Sequence, residues 1–376
     1  MKIGMIDDAL DDNVVLNFAK VERFRIKQCK VEVIRGKEIK VSPTHATKCC
    51  NILIGCIEKP ENHTLVHVDI MNNGQLNIQD FLKALELLMK QKIDILCLSI
   101  GTTILSWEKA IYPLIKEMYN RGIFIVAASS NINFITIPAA FKEVIGTISL
   151  PADYFLRDRI YALSKNNLEI NYGIVTEPNE GNSFSAPLIL ASLLNIVDEF
   201  YSGNNTNNVR DIILKILDRT LRCTKIQWNI LMPFLLPPNK VDIPIVSIKS
   251  DDVMIYSDIA NCLMEEWGYE SICVIDDKYL IEEFRFIRPN GSDLKKNFEI
   301  SFQRSADIIL MDSKFIPEVL SVIDILGCCQ VSVFGNNMKL NVGDFVVKYY
   351  EKQNIKTLCK DIVCLLTEEY KGGVGI

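Results

Sequence analysis

Gly181-Asn182-Ser183-Phe184-Ser185-Ala186-Pro187 is the stretch on which the reading of this chain turns. Ser183 stands among small and polar residues, directly before the apolar, helix-spaced positions Leu188, Ile189, Ala191, Leu193 and Leu194. Pro187 is compatible with a first helical turn. A serine placed there sits at a helix N-terminus, where unpaired N–H groups and the helix dipole favour negative charge. Its hydroxyl is nevertheless a weak nucleophile until a neighbouring base takes its proton and a carboxylate orients that base. The run therefore gains meaning only if both partners exist elsewhere in the sequence.

Both do. Lys2-Ile3-Gly4-Met5-Ile6-Asp7-Asp8 predicts a short buried strand ending in an acid, which suits Asp7 to the orienting role. The chain has three histidines. In Pro43-Thr44-His45-Ala46-Thr47-Lys48-Cys49-Cys50-Asn51-Ile52-Leu53 a polar turn passes into an apolar stretch of helical spacing, which puts His45 near a helix N-terminus. His63 and His67 lie around the strand-like run Thr64-Leu65-Val66-His67-Val68-Asp69 and are expected to pair with backbone or solvent. His45 is the expected base.

The chain order Asp7, His45, Ser183 is the order of subtilisin, distinct from that of chymotrypsin and of the α/β-hydrolases. Ile6-Asp7-Asp8-Ala9-Leu10-Asp11 resembles the subtilase aspartate motif, His45-Ala46-Thr47 the His-Gly-Thr motif, and Asn182-Ser183-Phe184-Ser185-Ala186-Pro187 the serine motif. Two further segments are similar to the same family: Ile95-Leu96-Cys97-Leu98-Ser99-Ile100-Gly101, and Gly122-Ile123-Phe124-Ile125-Val126-Ala127-Ala128-Ser129-Ser130-Asn131 with the Pro138-Ala139 to Val144-Ile145-Gly146 stretch after it. The resemblance covers about residues 1 to 200.

It implies Ser183 as nucleophile, His45 as base, Asp7 as orienting acid, and Asn131 with the Ser183 N–H as donors to the oxyanion. It further implies that Ser99, Ile100 and Gly101 pair with an extended substrate and that Ala128 and Ser130 line the specificity pocket. The chain departs from the family at Ala9, Ala46 and Ser130, where glycines are usual, at Asp8, where a hydroxyl residue is usual, and at Asn182, a mild change from threonine. Asp8 is expected to raise the pKa of its neighbour or to face solvent.

The expected fold class is α/β: a subtilisin-like three-layer fold with a mainly parallel sheet, plus a second, smaller α/β domain. Residues 1–232 form the expected catalytic domain, 233–242 a proline-bearing linker, and 243–376 the smaller domain, with a helix expected over Phe315–Leu326 and a turn at Pro289-Asn290-Gly291. A formal net charge of −6 offers no basic face for nucleic acid. No uninterrupted apolar run suits a bilayer span, and the chain opens on its catalytic strand with no charged-then-apolar leader and no prodomain, so a cytoplasmic protein is expected. The twelve cysteines fall mostly in apolar patterns without Cys-x-x-Cys pairs, which predicts reduced thiols and no zinc. After the first strand of the smaller domain, Lys249-Ser250-Asp251-Asp252 lacks the glycines of a phosphate loop.

The expected function is that of an intracellular serine endopeptidase acting on peptide or protein substrates without a cofactor or metal, in a dedicated maturation role such as leader removal. The alternative is a catalytically weak scaffold of the same fold that binds peptides or serves as an assembly subunit.

Overall fold

The computed structural model describes residues 1–11, 18–35, 43–71, 75–131, 134–153, 155–157, 159–163, 169–177, 181–200, 209–219, 224–226, 243–276, 285–287, 306–316, 328–342 and 345–372. The expected linker at 233–242, the turn at Pro289-Asn290-Gly291 and most of the helix expected over Phe315–Leu326 lie outside these residues. The chain divides into two compact units, Met1–Thr103 with Trp107–Leu235, and Ile104–Ser106 with Leu236–Ile376.

In the first unit the short apolar runs become strands. The described strands are β1 (Lys2–Asp7), β2 (Lys20–Lys27), β3 (Lys30–Val33), β4 (Thr64–Asp69), β5 (Ile95–Leu98), β6 (Phe124–Ala128), β7 (Ile145–Leu150), β8 (Ile160–Leu163), β9 (Tyr172–Val175) and β10 (Thr224–Ile226). They form one sheet in the order β10-β8-β9-β7-β6-β5-β1-β4-β2-β3. All pairings are parallel except β2 with β3 and β8 with β9.

The central strands are buried on both faces, as strands of a covered parallel sheet must be. Alternation along β1 shows which helices cover which face. Ile3 and Met5 join the cluster built with α1 (His45–Cys56), α4 (Ser185–Phe200) and α5 (Val209–Arg219). Gly4 turns the other way: a Cβ there would stand 2.7 Å from Ile93 and 3.2 Å from Leu88, which belongs to α2 (Ile78–Lys90). Helix α3 (Glu108–Asn120) packs beside α2. The result is a three-layer α/β unit with its sheet in the middle.

The second unit is a smaller α/β structure. Its strands β11 (Ile245–Lys249), β12 (Ser271–Val274), β13 (Phe286–Ile287), β14 (Ile308–Asp312), β15 (Cys328–Phe334), β16 (Asn337–Val342) and β17 (Phe345–Glu351) are ordered β13-β12-β14-β11-β15-β16-β17. The first five are parallel and the last two antiparallel. Helices α6 (Met254–Trp267) and α7 (Ile355–Gly372) share one core through Tyr256, Ile259, Leu263, Leu358 and Ile362. Gly268 ends α6 at φ 73°, a left-handed conformation that favours glycine. The acids Asp252 and Asp276 lie in ion pairs with Lys352 and Lys314.

Candidate active site

The sheet delivers three of the sequence-derived residues to one row. Ile6 pairs with Leu98, and Leu98 with Ala127. Asp7, Ser99 and Ala128 come next on their strands and so stand side by side at the carboxyl edge, where open α/β sheets place their sites. All three are buried, Asp7 to 1% exposure. Ile100 and Gly101 run on from β5, and Thr102 then forms an isolated antiparallel bridge with Ile137.

Helix α1 brings His45 to this row, and the two consecutive acids divide the task. Asp8 accepts hydrogen bonds from the backbone N–H groups of His45 (3.1 Å) and Ala46 (2.8 Å), while the Thr44 hydroxyl accepts from Thr47 N–H at 3.2 Å. Half-buried Asp8 therefore caps a helix N-terminus, where a carboxylate is stabilised. With the helix start fixed to Asp8, the ring of its first residue meets Asp7: His45 Nδ1 lies 2.9 Å from both carboxylate oxygens. Ala46 is fully buried in this first turn.

This contact places the hydrogen of the neutral imidazole on Nδ1 and the lone pair on Nε2. The Asp7 hydrogen bond, followed by the contact with Cys49, holds His45 above the ordinary imidazole range and outweighs the opposite effect of burial. Phe184 packs its ring on His45 at 5.5 Å between centroids.

Asp7, His45 and Cys49 are the one trio among the described residues whose donor atoms gather closely enough to hold a metal. Cys49 Sγ is 3.9 Å from both ring nitrogens. The two nitrogen lone pairs diverge, so an atom equidistant from both lies along neither, and the sulfur packs against the ring rather than sharing a ligand direction. Burial raises the Cys49 pKa and keeps it a thiol.

Ser183 lies in a 3-10 turn, Asn182–Phe184, that leads into α4, and is half-buried between two buried neighbours. Among the described residues no hydrogen bond joins it to His45; such contacts are often loose without substrate. Asn131 is exposed, and its Oδ1 accepts from Asn182 N–H at 2.6 Å. Because the partner is a donor, the oxygen of the amide must face it, which leaves Nδ2 to donate elsewhere. Ser130 is half-buried, with its N–H on Thr136 Oγ1 at 2.8 Å.

In the sequence Gly181 is one small residue of a loop, and its backbone (φ −81°, ψ 175°) suits any residue. Space is what requires glycine: a Cβ would stand 2.5 Å from Asn131 Oδ1 and 2.9 Å from its Cγ and Nδ2. Gly181→Ala is expected to push the Asn131 amide aside and slow turnover about a hundredfold, the scale of an ångström-sized misplacement, with the melting temperature nearly unchanged. Steady-state kinetics beside a thermal melt checks this, and unchanged kinetics would show that turnover does not depend on the placement of the Asn131 amide.

The other two histidines take structural places. His63 is fully buried with Nε2 3.0 Å from Asp198, a carboxylate rather than the backbone or solvent partner expected. His67 is fully buried, and neither ring nitrogen has a hydrogen-bond partner among the described residues.

Among solved structures, a lanthipeptide protease is 14% identical with a TM-score of 0.42, the match covering 58% of this chain and 78% of that one. The prenylagaramide maturation protease PagA is 14% identical (TM-score 0.39; 58% and 82% covered), and the protease domain of PatA 11% identical (TM-score 0.43; 62% and 94% covered). Comparison with the curated protein sequences gives no match. The family comparison is more direct: residues 1–221, more than half of the chain, match the family described as the Subtilase family. This chain belongs to the subtilase family of serine proteases.

Proposed function

We propose that the chain is an endopeptidase that cleaves peptide bonds through an acyl-enzyme, with Ser183, His45 and Asp7 as its triad. The observation that carries this is the pair of 2.9 Å contacts between His45 Nδ1 and the buried Asp7 carboxylate, which leaves Nε2 as the base. As Ser183 Oγ attacks the scissile carbonyl, its proton passes to His45 Nε2 and the carbonyl oxygen becomes an oxyanion. Asn131 Nδ2 and Ser183 N–H donate to that oxygen, whose charge is greatest in the transition state. The C–N bond then breaks as His45 returns the proton to the leaving amine, and water releases the acyl group by the same steps. Ser99, Ile100 and Gly101 pair with the substrate main chain in the manner of an added strand.

The role proposed is maturation of a ribosomally made peptide in the cytoplasm, with the unit beyond residue 243 recruiting it. The ten cysteines whose side chains are described are all free thiols. Ala128 and Ser130 line the specificity pocket in this reading, and the Ser130 side chain makes it shallow, so substrates with Phe or Tyr before the scissile bond should be poor. Peptide-library profiling decides, and an aromatic preference would refute this pocket.

Covalent labelling by a fluorophosphonate tests the nucleophile: wild-type protein should label and Ser183→Ala should not. The second reading, a weak scaffold that binds peptides or serves as an assembly subunit, is favoured by Ala9, Ala46 and Ser130 in place of the family's usual glycines. Folded wild-type protein that fails to label would select it.

A further inference from the structure

Asn182 departs from the threonine usual at its position, and its surroundings give the asparagine a task. It is 7% exposed, and each of its polar groups has a partner inside the protein. Oδ1 accepts from Ser149 N–H on β7 at 2.9 Å, and Nδ2 donates to the Ser130 carbonyl. Its own N–H holds Asn131 Oδ1 at 2.6 Å. Its carbonyl accepts from Ser185 Oγ at 2.6 Å. Ser185 Oγ also lies 2.7 Å from Thr147 Oγ1, a contact in which either hydroxyl can donate, so this second anchor also ends on β7.

Two consequences follow. Oδ1 and one Nδ2 hydrogen of Asn182 are engaged inside the protein, and the roles proposed above make Asn131 Nδ2 and Ser183 N–H the pair of donors. Both donors are aimed by Asn182. Its N–H turns the Asn131 oxygen inward and so turns Nδ2 out. Its carbonyl shares a planar trans peptide with the Ser183 N–H, and the two point in opposite directions. Holding the carbonyl on the buried Ser185 hydroxyl therefore directs the Ser183 N–H away from that anchor. The side chain locks both features to β7 and to the Ser130 carbonyl beside Asn131.

We infer that Asn182 is the positioning residue of the oxyanion hole, setting both donors from one buried side chain. This rests on the roles proposed above for Ser183 and Asn131. Asn182→Ala leaves room for a water between Ser149 N–H and Ser130 C=O, whereas Asn182→Leu fills the space without polar atoms. Both should slow the chemical step roughly 10- to 100-fold, less than deletion of a donor, because the donors remain but are misplaced.

The test is the rate and final stoichiometry of fluorophosphonate labelling in wild type, Asn182→Ala, Asn182→Leu, Asn131→Ala, the Asn182→Ala/Asn131→Ala double variant and Ser183→Ala. Stoichiometry counts folded, competent chains and rate reports the hole, so partial unfolding is separated from misplacement. The expected result has three parts: a slower rate at full stoichiometry, an unchanged pH midpoint because Asp7 and His45 are untouched, and a double variant less impaired than the product of the single effects. Labelling within about twofold of wild type would overturn the inference, being smaller than any placement effect of that size. So would a loss confined to stoichiometry, a shifted pH midpoint, or effects that multiply. Wild type that shows no Ser183-dependent labelling would instead overturn the proposed function, and this inference with it.

Discussion

Ser183→Ala is expected to reduce turnover by about a millionfold while leaving the fold intact, the size that loss of the nucleophile has in this family rather than one the geometry supplies. The argument is chemical. Without Oγ no acyl-enzyme forms, and what remains is water attacking a carbonyl that the oxyanion donors still polarise. Removing His45 should cost about as much, because the three groups act as a unit and their losses do not add. The variant should be as stable as wild type, since Ser183 is half-buried within a turn held by hydrogen bonds from Phe184 to Gly181 and from Ser185 to Asn182. Turnover of a cleaved peptide, with the melting temperature measured on the same sample, checks both halves. Retention of activity would remove Ser183 from the mechanism and with it the acyl-enzyme.

The parts of this site that could be read in the sequence are those in which a residue's role follows from its place on one element. Asp7 closes an apolar strand and His45 opens a helix, so each could be assigned from a short stretch. The same holds for the covered sheet: the apolar runs Ile3–Ile6, Leu65–Ile70, Ile93–Ser99, Ile123–Ala127 and Val144–Ser149 read as buried strands, and β1, β4, β5, β6 and β7 lie within two residues of them. Strand β2 was not foreseen, because Lys20-Val21-Glu22-Arg23-Phe24-Arg25-Ile26-Lys27 is rich in charge, near an edge of the sheet where polar side chains reach water. Strand β3 forms the edge itself and is exposed throughout. The antiparallel strands β16 and β17 were also missed.

The roles of Asp8, Gly181 and Asn182 were illegible for a different reason. Each depends on which backbone groups of a distant segment come to meet it. Asp8 caps a helix 37 positions away, and Asn182 takes an N–H 33 positions back. Nothing in the local composition encodes those distances. Substitution of the family's usual threonine by asparagine read as mild from chemistry alone, yet the longer amide spans from β7 to Ser130 in a way that requires an acceptor and a donor at once.

Asp7→Asn is expected to lower kcat by about ten-thousandfold, on the precedent of the corresponding change in another serine protease, and also to move the pH dependence. An amide in the Asp7 place presents an N–H to His45 Nδ1, which favours the ring tautomer with its hydrogen on Nε2 and removes the base. The electrostatic effect is separate. In wild type the Asp7 hydrogen bond is the largest cause holding His45 above its ordinary value of 6.5. A base must be neutral to act, so wild-type activity should rise with pH through that raised value, giving an acid limb on the alkaline side of 6.5. In Asp7→Asn the limb should fall back toward the ordinary value, around a much lower plateau.

Stability should follow the same linkage with the sign set by the raised pKa. The folded state binds the His45 proton more tightly than the unfolded chain does. The pair's contribution is therefore fully present below the unfolded value and is lost as pH rises through the folded one. The gap in melting temperature between wild type and Asp7→Asn should be wide at pH values between the carboxylate range and 6.5 and should narrow in alkali. A gap that widened with pH would show that the contact stabilises neutral imidazole instead. An acid limb at the same pH in both proteins would assign it to a group other than His45.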